Sequence, residues 1–383
     1  MTMTNDGRIA ILGGGPIGLA CALLLARRGR SSIVIDARRL EDALRETRLL
    51  ALSRGTWQLL DALFGAAPPR SAQIRTVHVS SAGELGVTRI ADADFDGEPL
   101  GATVLYGDLL AALAAAVAAQ PAIEVVRPRR ALEVLQRPDA VRVALDDGSM
   151  LEAPFAINAE GFQSATAAAS DAHDWALLAD LTLRDPAPGA AFERFTREGP
   201  LALLPTPSTL GGAPAMSLVW CMDRAAATRR SELPDAAFRD ELQAALGARI
   251  GRVERIGPRR RHPLHQQVRE RVREHRLVAL GNAAQTLHPV AGQGFNLGMR
   301  DCATLADCIA VHEEDAGAAL RDYEARRRAD RQAIAALTRW LPAVFRTRFA
   351  PVALARSIGL AALDQSPALR KQLAQLLMFG VRD

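Results

Sequence analysis

The sequence predicts an α/β fold, on three observations. Residues Arg8 to Asp36 read as strand, glycine turn, helix and strand, and residues 276–309 repeat the theme as strand, turn and helix. Between them lie short alternating stretches bounded by turn signals, the pattern of half-buried strands.

Arg8 to Leu12 (RIAIL) is a short apolar strand, and Ile17 to Arg28 carries apolar residues along a helix that Gly29 ends. Ser32 to Asp36 (SIVID) is the next strand. The turn between the first strand and the helix is GGGPIG, Gly13 to Gly18, with Pro16 and Ile17 inside a GxGxxG pattern. In that context each glycine has its own role. Gly13 permits the tight turn, Gly15 admits a pyrophosphate to the backbone, and Gly18 lets helix and sheet approach closely. Asp36 closes the second strand, where a carboxylate accepts the hydroxyls of an adenosine ribose. These residues predict a dinucleotide site without distinguishing FAD from NAD.

Further along, Thr76 to Ser80, Val141 to Leu145 and Met216 to Cys221 read as strands, with a DDGS turn at Asp146 to Ser149. The alanine-rich Leu109 to Ala119 reads as a packed helix, and no internal repeat is visible. Arg276 to Leu280 (RLVAL) is a strand leading into Gly281, Asn282, Ala283 and Ala284. Gly292 to Gly294 (GQG) then open an amphipathic helix with Leu297, Leu305, Ala306 and Ile309 on its apolar side. Residues from Leu341 on read as helical, apolar and basic at the edges.

At 383 residues the chain can bury a substantial core, and 49% hydrophobic with 23% charged residues is ordinary for a globular protein. Cys21, Cys221, Cys302 and Cys308 have neither metal-ligand nor redox-pair spacing, so buried reduced thiols and no metal site are expected. The N-terminal MTMTNDGRIAIL lacks the basic start and long apolar run of an export signal, and no apolar run is long enough to span a membrane. A cytoplasmic protein is expected, with one-sided contact to the inner membrane left open. The net charge of +4 resides in the last 38 residues, where Arg346, Arg348, Arg356, Arg370, Lys371 and Arg382 face only Asp364 and Asp383. No nucleic-acid motif accompanies these arginines, so an anionic membrane surface or acidic partner is the expected counterpart, not nucleic acid.

The run GNAAQTLHPVAGQGFNLGMRD, Gly281 to Asp301, resembles the group A flavoprotein monooxygenases, and among them the ubiquinone-biosynthesis hydroxylases of the 2-polyprenyl-6-methoxyphenol hydroxylase type. Arg48 to Ser53 (RLLALS), Ala191 to Pro205 (AFERFTREGPLALLP), Tyr323 to Arg331 (YEARRRADR) and the ending from Arg356 support the likeness, which runs nearly end to end. The resemblance implies an FAD-binding Rossmann-like, three-layer domain at residues 1–70, 101–170 and 266–340. It is interleaved with a mostly β substrate domain at 71–100 and 171–265, and a C-terminal helical tail, 341–383, closes against the body.

By the same resemblance, Gly13, Gly15, Gly18 and Asp36 hold the adenosine diphosphate half of FAD, with Arg48 near the pyrophosphate. Asn282 meets the ribityl chain, and Pro289, Gly292, Gln293, Gly294 and Asn296 lie along the flavin ring. Phe195, Leu203 and Pro205 are expected nearest the substrate ring; a buried strand that merely packs the core is the competing reading of that stretch. His288 reads equally as a flavin-side residue and as a turn residue bonded to backbone, and no side-chain catalyst is assigned. Two positions depart from the family pattern: Asn282 stands for the usual aspartate but still offers an acceptor oxygen, and Glu160 stands for the aspartate of ADGxxS. The second bears more on the reductive step than on FAD.

The implied chemistry is hydroxylation of a polyprenylated phenol by O2 through a flavin C4a-hydroperoxide. One glycine fingerprint leaves NAD(P)H to dock transiently, or a protein reductase to supply electrons. A soluble aromatic acid as substrate, or a non-catalytic flavoprotein subunit of a quinone-biosynthesis complex, are the alternative readings.

Overall fold

The computed structural model describes residues 2–3, 7–65, 68–84, 86–161, 174–247, 250–313, 315–347 and 349–381. At its centre is a six-stranded sheet in the order Arg273–Glu274, Leu277–Ala279, Ala156–Asn158, Ile9–Leu12, Ser32–Ile35, Ile123–Val126, parallel except at the first strand. Its central strands Ile9–Leu12 and Ser32–Ile35 are buried along their whole length because both faces are covered, the signature of a parallel sheet. Ile9, Ile11 and Val34 face the helices Pro16–Arg27, Tyr106–Ala118 and Gln293–Val311. Ala10, Leu12, Ile33 and Ile35 face the other way, onto Val141, Val143, Leu145 and Leu151 of an antiparallel meander, Ala131–Gln136, Val141–Leu145 and Met150–Ala153. The result is three layers: helices, parallel sheet, small sheet.

A second, larger sheet has the order Arg252–Ile256, Asp174–Arg184, Ala213–Asp223, Pro200–Leu210, Ala190–Phe195, Thr76–Ser81, Val87–Ala91, with Arg260–Leu264 also paired to Asp174–Arg184. Its two faces have different fates, because alternate residues of a strand point oppositely. Phe192, Leu201, Leu203, Leu218 and Trp220 pack with Phe238, Leu242 and Leu246 of the helix Asp235–Leu246. Ala191 packs on the opposite face with Ala374 and Met378 of the C-terminal helix Pro367–Phe379. A three-stranded sheet, Leu49–Ser53, Gly101–Leu105 and Ser71–Ile74, lies between the two bodies of strand.

The expected elements are present with boundaries shifted by a few residues. The strand at 216–221 extends to Ala213–Asp223, and the alanine-rich helix begins at Tyr106. All four cysteines are buried and free. Phe162 to Ser164 of the AEGFQS stretch lie outside the described residues.

The tail corrects an expectation about its charge. Arg346 pairs with Asp174 at 3.0 Å, Arg370 with Asp94 at 2.8 Å, and Arg356 with Glu84, so three of its cations point into the protein. Arg348 and Arg382 lie outside the described residues. The tail also turns apolar side chains outward: Phe349, Leu354 and Ile358 are exposed, as is Trp340 just before it. No helix among the described residues is long and apolar enough to cross a membrane.

Candidate active site

Two turns, each ending a strand of the parallel sheet and opening a helix, define the site. At the first, Gly13 has φ +103°, and a Cβ there would stand 2.7 Å from the backbone of Ala159 and Glu160 in the neighbouring strand's exit loop. A Cβ on Gly18 would collide with the Gly13 carbonyl oxygen, so the helix sits directly on the turn. Gly15 is different: its Cβ would meet side-chain ends alone, the Tyr106 hydroxyl at 3.0 Å and Arg38 Nη2 at 4.0 Å. Gly15 is also the N-cap of Pro16–Arg27 and no side chain caps it, which leaves the positive end of the helix free for an anion. Asp36 holds this turn, accepting from Gly14 N–H at 2.7 Å and Arg38 N–H at 2.7 Å. Each carboxylate oxygen keeps a lone pair for another donor.

Cations gather at the same end. Arg38 donates to the Tyr106 hydroxyl at 3.1 Å, Arg127 donates to the Gly14 carbonyl, and the exposed Arg48 lies over the Tyr106 ring at 5.0 Å while pairing with Glu46 at 3.2 Å. One Arg127 nitrogen, Nη1, is buried with no partner. Uncapped amides, a glycine with room above it and an orphaned guanidinium nitrogen fit a diphosphate. Arg38, Tyr106 and Arg127 went unnoticed in the sequence, since no spacing ties them to the glycines. Glu160 is half-buried near Asp36, and burial first, then that carboxylate, raises its pKa.

The second turn joins the first through Ile17. A Cβ on Gly298 would lie 2.9 Å from the Ile17 side chain and 3.0 Å from Gly281, so two glycines of the second stretch clear space for the residue inside the first. Asn282, next to Gly281, is exposed. Beyond it Ala291 and Gly292 both adopt left-handed φ, +58° each, and Gly292 caps Gln293–Val311 without a side-chain bond. Asn296 is fully engaged: its amide donates to Ala51 O at 3.0 Å and Gly292 O at 2.8 Å and accepts from Ser53 N–H at 2.9 Å. It therefore clips the turn to the strand Leu49–Ser53, with no amide hydrogen left for a ring. Gln293 donates to Ala291 O and to Leu377 O of the tail, each at 3.2 Å, while its Oε1 is buried and unpartnered. Gly294 has open space around it, and Pro289 begins the turn.

His288 is a turn residue bonded to backbone, its Nδ1 accepting from Val290 N–H at 3.2 Å. Its Nε2 is buried without a partner, and burial lowers its pKa to about 4, so the ring is neutral at pH 7. Across from the turn, the carboxylate of Glu193 in Ala190–Phe195 lies near the Ala291 N–H, whose dipole acts to lower its pKa. Its Oε1 is buried and unpartnered, and burial pushes its pKa up to about 7. Phe195, two residues on, stacks on Phe345 at 3.7 Å between centroids. Leu203 is a correction. It pairs with Phe192, both lie in the core on the helix side of the sheet, and strand alternation turns it away from Glu193 and the turn. Pro205 is half-buried, its carbonyl accepting from Thr103 Oγ1 at 2.5 Å.

Behind the second turn lies a buried ionic lattice. Asp301 pairs with Arg327 at 2.7 Å, and Asp330 pairs with Arg327 at 2.6 Å and Arg300 at 2.8 Å. Gln285 links Asp301 to Arg331, at 2.8 and 2.7 Å. The MRD of the second stretch and the ADR of 329–331 are thus two halves of one network.

Comparison with known proteins agrees with this geometry. The profile of the FAD binding domain family matches residues 6–338. A protein of Rhodospirillum rubrum named ubiquinone hydroxylase UbiL is 31% identical over 95% of this chain and 87% of its own length. The 3-demethoxyubiquinol 3-hydroxylase of Escherichia coli is 28% identical over 97% of this chain and 98% of its own. Among solved structures, p-nitrophenol 4-monooxygenase PnpA from Pseudomonas putida superposes with a TM-score of 0.75 at 16% identity, covering all of both chains, a likeness of fold.

Proposed function

We propose, because the chain belongs to the FAD binding domain family and is an FAD-dependent monooxygenase, that it hydroxylates the ring of a polyprenylated (methoxy)phenol in ubiquinone biosynthesis. The observation that carries this reading is the near full-length likeness to two proteins named as hydroxylases of ubiquinone chemistry. FAD supplies the activation of O2; the polypeptide binds, orients and excludes water.

In this reading Gly13, Gly15, Pro16, Ile17, Gly18, Asp36 and Arg48 hold the adenosine diphosphate end, joined by Arg38 and Arg127. Asn282 takes the ribityl chain, and the turn Pro289 to Gly294 borders the ring, where the N-terminus of Gln293–Val311 favours negative charge. The FAD-binding body comprises 1–70, 101–170 and 266–340, the substrate body 71–100 and 171–265, and the tail 341–383. Phe195, stacked on Phe345, and the tail above them exclude water from the substrate. Electrons come from NAD(P)H docking transiently, or from a protein reductase. A soluble aromatic acid is the weaker substrate, because Arg346 and Arg356, the cations beside Phe195 and Phe345, are already paired with Asp174 and Glu84. Membrane contact, in this reading, uses the exposed apolar face at Trp340, Phe349, Leu354 and Ile358 rather than the tail's arginines.

The test is substrate-stimulated O2 consumption by purified, FAD-loaded protein. A short-chain 2-prenyl-6-methoxyphenol should be converted to a hydroxylated product and salicylate should not; the reverse, or protein that takes up no FAD, rejects the proposal. The same protein spun with phospholipid vesicles should sediment, and less so after Leu354→Ser with Ile358→Ser; unaltered sedimentation would reject the membrane face.

A further inference from the structure

We propose that Glu193 is the group that takes the phenolic proton when the ring is hydroxylated, an inference that rests on the function proposed above. Three polar atoms around the second turn are buried without partners: Glu193 Oε1, His288 Nε2 and Gln293 Oε1. Buried polar atoms are nearly always satisfied, so three orphans converging on one turn from two separate parts of the chain mark the place of a polar ligand group. Of the three, Glu193 alone belongs to the substrate sheet, and its carboxylate lies near the Ala291 N–H of the turn. It shares its face of that sheet with Phe195, whose ring is stacked and apolar.

The charged and titratable groups around this face are few, and the guanidinium beside the stacked rings, Arg356 at 5.1 Å from the Phe345 centroid, is paired with Glu84. Asp174 on the sheet is neutralised by Arg346 from the long helix Ala316–Arg346, His288 on the turn is neutral, and burial raises the Cys221 thiol far above its usual range. No free cation among these groups holds Glu193 ionised. Its carboxyl, pushed up to about 7 by burial, is matched to accept a proton near neutrality, where an exposed glutamate would be too weak a base.

In the reaction the phenolic O–H bond breaks and its proton passes to Glu193 Oε1. The electron pair left on oxygen is pushed into the ring, and the activated carbon forms a C–O bond to one atom of O2. The O–O bond breaks and the second atom leaves as water, with two electrons drawn through FAD from a hydride donor and two protons taken up. The hydrogen on the attacked carbon passes as a proton to the newly bound oxygen when the ring regains aromaticity, and Glu193 returns its proton to the phenolic oxygen.

Glu193→Gln keeps the shape and an acceptor for Ala291 N–H while losing basicity. With FAD-loaded protein and 2-prenyl-6-methoxyphenol, wild-type kcat should fall tenfold per pH unit below pH about 7. The variant should lose that limb and run about 100-fold slower or worse at pH 7.5, with unchanged flavin absorbance. A ring-fluorinated prenylphenol already ionised at pH 8 should restore most of its rate. A Gln variant as fast as wild type overturns the proposal, and so does a deficit equal for both phenols at every pH, which would make Glu193 a support for the turn. Wild type alone gives a second reading: the acidic limb should appear with the ordinary phenol and vanish with the pre-ionised one, and a limb shared by both is a contrary result. Wild type that hydroxylates no phenol at all rejects the parent function, a failure separate from these.

Discussion

The two helix-opening turns serve the same end and are built by opposite means. The turn at Gly13 to Gly18 is held mainly by its own unit: Gly18 against Gly13, and Gly14 on the carboxylate of Asp36, 22 residues on. The turn at Pro289 to Gly294 is held from far away, by Asn296 on Ala51 and Ser53 and by Gln293 on Leu377. A phosphate site needs backbone amides and space, which glycines provide locally. A ring site needs side chains from several directions, and those arrive only when the chain is folded.

That contrast can be broken at three strengths. Gly18→Ala has the largest expected effect, because its methyl group meets backbone that cannot give way; no folded, yellow protein should be recovered. Gly15→Ala, with only side-chain ends nearby, should fold normally and bind FAD more weakly. If the two variants behave alike, the division between a packing glycine and a ligand glycine is wrong. Asp301→Asn comes next. It removes one of the two carboxylate partners of the buried Arg327, with Asp330 still in place, and urea unfolding should show a loss of about 3 kcal/mol. Smallest is Asn296→Ala, which leaves Ser53 N–H and Ala51 O without their partner and should cost about 2 kcal/mol, with faster loss of FAD on dilution. An Asn296→Ala protein as stable as wild type would mean that the second turn stands alone as the first does.

How much could be read beforehand follows the same division. Strand, turn, helix and strand at residues 8–36 obeyed local rules, and the structure has them within a residue or two. The strand Pro200–Leu210 was recognisable as buried, but which of its residues turn to the helix side was not, and Leu203 follows the competing core-packing reading. The register with Phe192 decides that face, and register depends on a strand elsewhere in the chain. The tail misled in charge for a related reason. Arg356 and Arg370 look unopposed along the sequence, while Glu84 and Asp94, which neutralise them, lie more than 270 residues away. Glu193 stood in plain sight within AFERF, without a spacing that gave it a role.

Local order along the chain settled the α/β class and the glycine turn between the first strand and its helix, because glycine conformation and apolar periodicity act over a few residues. Long-range packing settled which carboxylate is buried beside the second turn, which arginines are silenced and which apolar face stays outside. Burial and Coulomb pairing depend on distance in space, and a linear string of residues carries no measure of that.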